Sequence, residues 1–299
     1  MRATFVAPTS VADVLAALSA GARVVAGGTD LVVGARQGKA PLPEQLVAIH
    51  RVDTLRALSH KNGLRLGSLV THEKIIADDV VRTQYSALAD ASAIVGSHAT
   101  RATGTIGGNV MNASPAMDCG GPLLCLGASA VLESTTGSRT VTLDELWLSP
   151  GRTSARADEL LVAIDVPAPS KGAGSCYVRL EYRRQMEIAV VGATAVVVVG
   201  GDGLIQSARI AMTALSPTIH RVESAEDALV GTTGDRVSAD SAAVLFAAAT
   251  TPISDVRASA DYRRAMAAVI CRRAIQAAVA RATGHDVPIP ASTSLHGAH

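Results

Sequence analysis

Apolar positions along the first third of the chain alternate between helical and extended spacing. Thr9 or Ser10 precedes an apolar stripe that runs to Leu18 and stops at Gly21, which predicts a capped helix. Residues 23–26 then read as a buried strand, Gly27-Gly28 breaks it, and Thr29-Asp30 opens a second helix into Leu31-Val32-Val33. Residues 46–49 and 63–67 predict further strands; Thr71-His72-Glu73-Lys74 opens a short helix, with a longer one over 84–95. A middle region dense in small and turn-forming residues spans 102–118, followed by a helical stretch to Leu126 and strands over 128–133 and 160–166. The run Pro167-Ala168-Pro169-Ser170-Lys171-Gly172-Ala173-Gly174 marks a boundary. Beyond it, 189–199 and 203–212 predict a hairpin joined by Gly200-Gly201-Asp202. Helical patterns over 222–230, 239–249 and 258–282 close the chain, with a loose segment over 286–299.

Composition narrows the function. The chain has 299 residues, 48 % hydrophobic and 18 % charged, too apolar for disorder and long enough for two domains. Aromatics are 2 % and the formal net charge is +1, which gives neither base-stacking platforms nor a field that attracts nucleic acid. Residues 1–8 lack the apolar core of a signal peptide. The longest apolar run, 188–201, falls short of the ~20 residues that span a bilayer. A cytoplasmic protein without a membrane span is expected. Cys119, Cys125, Cys176 and Cys271 form no Cys-x-x-Cys pair and lack iron–sulfur spacing, so they read as free buried thiols. No His-Glu-x-x-His or similar pair exists, and no metal site is expected.

Two glycine-rich segments carry the chemistry: Ala26-Gly27-Gly28-Thr29-Asp30 and Thr105-Ile106-Gly107-Gly108-Asn109. Without a Cβ, backbone amides can approach an oxyanion closely, and consecutive amides form concave anion nests. Two such nests would suit a two-phosphate bridge held from both sides. Neither a Gly-x-Gly-x-x-Gly helix opening nor a Walker loop is present, nor a Gly-x-Ser-x-Gly elbow. Asp118 can be read as the cap of the helix that follows it.

These segments, followed by Ala113-Ser114-Pro115-Ala116-Met117-Asp118, then by 159–167, Arg183-Arg184-Gln185-Met186-Glu187-Ile188-Ala189 and Ser259-Ala260-Asp261-Tyr262-Arg263-Arg264, closely resemble the FAD-binding medium subunit of molybdenum hydroxylases, the xanthine dehydrogenase and carbon monoxide dehydrogenase family. The resemblance implies an α+β fold with a two-lobed FAD-binding region of the vanillyl-alcohol-oxidase (PCMH) type over 1–170. Its lobes would be about 1–56 and 57–170, with a smaller α+β domain over 171–285. It implies non-covalent FAD contacted by Val25, Ala26, Gly27, Gly28, Thr29 and Asp30, by Thr105, Ile106, Gly107, Gly108 and Asn109, and by Asp118, Leu161 and Arg179. Relatives often carry lysine at the position of Arg179, and some place an aromatic ring where this chain has Val95. Both glycine segments lack histidine, cysteine and tyrosine, which argues against covalent attachment.

The implied role is an oxidoreductase subunit without a catalytic side chain of its own. It would take electrons from two-iron two-sulfur clusters in a small partner subunit, downstream of a molybdenum cofactor in a large one. FAD would pass them to an external acceptor, within a hetero-oligomer such as a dimer of heterotrimers. The alternatives are a stand-alone FAD-dependent oxidoreductase of the same fold and a flavin-free assembly subunit. Arginines along 257–281 fall on opposite helix faces and read as a solvated surface.

Overall fold

The computed structural model describes residues 4–38 and 41–292. Its first unit is a three-stranded parallel sheet in which Gln45–Ala48 lies between Thr4–Val6 and Arg23–Val25. The helix Val11–Ser19 crosses between the first two strands in sequence, with Ser10 Oγ accepting from the Asp13 amide at 3.2 Å as the cap pattern requires. Val14, Leu15 and Leu18 pack onto Val47, Ile49 and Val52, and onto Leu160 and Val162 of the next unit.

That unit is a five-stranded antiparallel sheet in the order Leu58–Ser59, Leu64–Gly67, Leu160–Val166, Ser129–Ser134, Gly137–Thr142. Leu160–Val166 takes the centre because six of its seven residues are buried, whereas Gly137–Thr142 alternates exposed and sheltered positions at the edge. Short helices including His72–Ala77, Ser86–Ile94, Ile106–Met111 and Gly120–Cys125 accompany this sheet and share its core.

The last unit is a four-stranded antiparallel sheet, Ala173–Leu180, Val191–Val199, Ile205–Thr213 and His220–Arg221. The expected hairpin is present: Gly203 takes φ +79° and Asp202 Oδ1 accepts from the Leu204 amide. One face packs under the helices Arg236–Ala248 and Ala260–Ala282. From the other, Tyr177 and Ala211 join the middle core, as does Ile219 just before the last strand. Ala173–Leu180 starts inside the stretch that reads as a linker. Gly174 belongs to packing, because a Cβ there would lie 2.2 Å from Ala278 O of the long helix.

Two further differences concern the C-terminal part. The segment after the long helix is anchored as far as Ser292: Ala291 N donates to Asp90 Oδ1 at 2.9 Å, and Ser292 Oγ accepts from Arg179 N at 2.9 Å. Residues 293–299, with His296 and His299, lie outside the described residues. The arginines also do more than face water. Arg263 is buried, donating to Val190 O and Asp255, and Arg281 forms an ion pair with the fully buried Asp90. No helix among the described residues is long and apolar enough to cross a membrane.

Candidate functional site

A cavity of about 700 Å³ opens between the three-stranded sheet and the middle unit. Eleven of the fourteen residues expected to bind a cofactor line it: Val25, Ala26, Gly27, Gly28, Thr29, Asp30, Thr105, Gly107, Gly108, Asn109 and Leu161. Val95 also lines it. Ile106 is fully buried in the middle core instead.

The first glycine segment leaves the end of the Arg23–Val25 strand and enters the Thr29–Arg36 helix. Gly28 caps that helix at φ +69°, a left-handed backbone that a Cβ disfavours, and no side chain caps the first turn. The amides of Gly27, Gly28, Thr29, Asp30 and Leu31 have no acceptor among the described residues. Five open donors therefore belong to one turn. Gly27 is also a contact point, since a Cβ on it would lie 2.2 Å from Thr103 O.

The second segment differs. Ile106 N donates to Val70 O at 2.9 Å, Gly107 N to Ser68 O at 3.1 Å, Gly108 N to Thr105 Oγ1 at 3.1 Å and Asn109 N to Thr105 O at 3.0 Å. These amides are engaged within the protein, so the expectation of two anion nests gives way to one nest and one wall. Gly107 lets the wall close, because its Cβ would stand 2.5 Å from Ser68 O. What the wall offers are buried side-chain atoms with no protein partner: Asn109 Oδ1 and Ser68 Oγ. Asn112 Nδ2 donates to Asp30 Oδ2 at 3.1 Å and ties the two segments together, while burial raises the Asp30 carboxyl above its ordinary range.

Asp118 and Arg179 do not line the cavity. Asp118 accepts from Arg179 Nη1 and from Tyr177 Oη, both at 2.8 Å, and Arg179 also pairs with Glu181. No helix-capping bond is made by Asp118; the Gly120–Cys125 helix starts after Cys119 without a side-chain cap. Burial pushes the Asp118 carboxyl up against the opposing pull of Arg179. The pair sits behind the cavity wall, one residue from Cys119, whose Sγ lies 3.7 Å from the cavity-lining His72.

Residues not singled out from sequence also reach the cavity, among them Ser68, His72, Arg156 and Glu159. Glu159 is gripped by Arg139 at 2.7 and 2.9 Å and by the Arg156 amide at 2.7 Å, and the Arg139 hydrogen bond heads the causes that hold its carboxyl low. The pattern Arg156-x-x-Glu159 directly before Leu160-Leu161 was the available signal. All four cysteines are free and buried, and no group of three or more His, Cys, Asp or Glu among the described residues could hold a metal ion.

The cavity suits a dinucleotide. Its volume falls within the range of small-molecule and cofactor sites, one side presents five open amides, and the other holds orphaned polar atoms that a ligand could satisfy. Comparison with known proteins agrees. The family described as "FAD binding domain in molybdopterin dehydrogenase" matches residues 1–169, and that described as "CO dehydrogenase flavoprotein C-terminal domain" matches 177–278. The carbon monoxide dehydrogenase medium chain of Afipia carboxidovorans is 33 % identical over 92 % of this chain and 96 % of its own. The nicotine 6-hydroxylase medium subunit of Paenarthrobacter nicotinovorans is 29 % identical over 93 % and 97 %. A carbon monoxide dehydrogenase structure from Hydrogenophaga pseudoflava superimposes with TM-score 0.89 at 32 % identity, covering 94 % of this chain and 98 % of that one.

Proposed function

Because this chain belongs to the family of FAD-binding medium subunits of molybdenum hydroxylases, we propose that it is the electron-exit subunit of a multi-subunit dehydrogenase. In this reading it works in the cytoplasm beside a large molybdenum-cofactor subunit and a small iron–sulfur subunit. Electrons reach its FAD from the small subunit's clusters and leave to an external acceptor. The FAD-binding part is residues 1–170, and the smaller part is 171–285.

The observation that carries this reading is the open-amide turn over 27–31 facing the cavity. Uncharged N–H groups would hold the pyrophosphate, as preorganised backbone dipoles do without the reorganisation that mobile cations need. Thr105, Gly108 and Asn109 form the opposing wall, with Asn109 Oδ1 an acceptor for a hydroxyl of the cofactor. Leu161 and Val95 give the cavity apolar surface that excludes water. Bound FAD supplies the redox chemistry, taking up and releasing electrons. The protein's share is binding, orientation and electrostatics, so no side chain is assigned as general acid or base. Asp118 and Arg179 act from behind the wall.

The test is isolation of the chain alone and in its native complex. The chain alone should carry one FAD that acid precipitation releases, and should pass electrons from dithionite-reduced FAD to a dye. It should not oxidise carbon monoxide or an N-heterocycle by itself. The complex should contain molybdenum and iron as well. Substrate oxidation by the isolated chain at the rate of the complex would contradict this function.

A further inference from the structure

One polar edge of the cavity wall has no partner in the protein. His72 lines the cavity and is only 2 % exposed. Its ring is fixed from behind, with Nδ1 3.5 Å from Ser92 Oγ and 3.7 Å from Cys119 Sγ, and the hydroxyl and thiol 3.6 Å from each other. The Cys119 thiol is fully buried and its pKa is pushed up to about 12, so it keeps its proton. One S–H and one O–H must therefore be placed among three heavy atoms, of which the imidazole nitrogen is the best acceptor. A lone pair on Nδ1, with the ring proton on Nε2, is the arrangement that lets both the hydroxyl and the thiol donate.

Nε2 has no acceptor among the described residues. The neighbouring ring carbon locates this edge. A Cβ built on Gly104 would lie 3.6 Å from His72 Cδ2 and 3.7 Å from Thr29 Oγ1. The imidazole edge and the first helical residue after the open-amide turn thus both flank Gly104, directly before the second glycine segment. Nε2 is not among the fully enclosed orphan atoms of the wall, so its N–H reaches cavity space where a ligand oxygen can accept it.

We propose that His72 Nε2–H donates a hydrogen bond to a pyrophosphate oxygen of the bound dinucleotide, with Ser92 and Cys119 as positioning residues that fix its tautomer. The proposal rests on the FAD reading of the cavity. Burial, together with the positive charge of Arg101, drives the imidazole pKa down to about 4, so the ring donates as a neutral group. It joins the five open amides as a sixth uncharged donor.

The experiment titrates the full apo-chain with FAD, followed by flavin fluorescence, for wild type, His72→Leu and His72→Gln. Loss of a donor to a charged oxygen should weaken binding about tenfold or more in His72→Leu. His72→Gln, whose amide reaches as far as Nε2, should stay within roughly threefold. The ³¹P resonances of bound FAD should differ between wild type and His72→Leu. A second arm needs no variant: in ¹⁵N-histidine spectra of the wild-type chain, His72 should show the Nε2-protonated tautomer, and its Nε2 signal should move when FAD is added. Unchanged affinity in His72→Leu, weakened affinity with unchanged ³¹P resonances, or an Nδ1-protonated tautomer would each overturn the proposal. Wild-type chain that takes up no FAD would instead overturn the cofactor reading beneath it.

Discussion

The segments 26–30 and 105–109 each set two adjacent glycines against the same cavity, yet their backbone amides stand in opposite conditions. In the first, the amides of 27–31 have no acceptor among the described residues. In the second, the amides of 106–109 donate to Val70, Ser68 and Thr105. Glycine serves a left-handed turn at Gly28 and a close approach to the Ser68 carbonyl at Gly107. Similar strings of residues thus perform different tasks: one presents donors, and the other lets a wall close. Substitutions at the wall's glycines and in its support should act chiefly on folding, and those at the turn's glycines chiefly on binding.

The largest effect should come from the support behind the wall. Asp118→Ala would take one carboxylate from Arg179 and the acceptor from the buried Tyr177 Oη, two hydrogen bonds to a charged group that together cost roughly 3–5 kcal/mol. Loss of a mere helix cap would cost only ~1 kcal/mol. Urea melts of the flavin-free chain separate the two. In the wall itself, Gly107→Val must displace the Ser68 backbone and should lose roughly 3 kcal/mol by the same measurement. A Gly107→Val chain of wild-type stability that still failed to bind FAD would break the comparison, because the wall would then be acting as a nest.

His72 gives a pH-dependent version of the same division. Its folded pKa of about 4 lies below the ordinary 6.5, so the unfolded chain binds the proton more tightly. The contribution is complete above pH 6.5 and is lost as pH falls towards 4, in total roughly 3 kcal/mol. Melts of wild type and His72→Gln at pH 7 and 4.5 should show the wild type losing more of its stability over that interval. Parallel losses would contradict the assignment of His72 as a buried neutral ring.

The smallest stability effect belongs to the turn. At Gly28 an added Cβ has its nearest neighbours at 3.6 and 3.7 Å, so only the left-handed backbone resists it. Gly28→Ala should cost about 1–2 kcal/mol of folding stability. FAD affinity should fall more than this, because a turn that relaxes its φ shifts the amides that have no acceptor within the protein.

Sequence pattern carried the turns well and the partnerships poorly. Glycine pairs, the Ser10 cap and the Gly200–Asp202 hairpin depend on neighbouring residues, so local reading suffices. The amides of Gly108 and Asn109 are engaged locally by Thr105, but those of Ile106 and Gly107 depend on carbonyls of 70 and 68, far upstream in the chain. The Asp118 network joins residues 59 and 61 positions apart, so a local reading offered only a helix cap. The strand Ala173–Leu180 starts inside the boundary stretch 167–174, where Gly172 and Gly174 look like breakers; Gly174 is demanded by the Ala278 carbonyl of a helix that packs on it from a hundred residues downstream.

An open-amide turn that holds the pyrophosphate of FAD must distinguish FAD from a flavin without one. Parallel equilibrium titrations of the full apo-chain with FAD and with FMN, which has the flavin but no pyrophosphate, test it most directly. Saturation at one FAD per chain is expected, with FMN weaker by about a hundredfold or more, ~3 kcal/mol for the contacts to the second phosphate and the adenosine that FMN lacks. FMN binding as tightly as FAD, or no uptake of FAD, would contradict it.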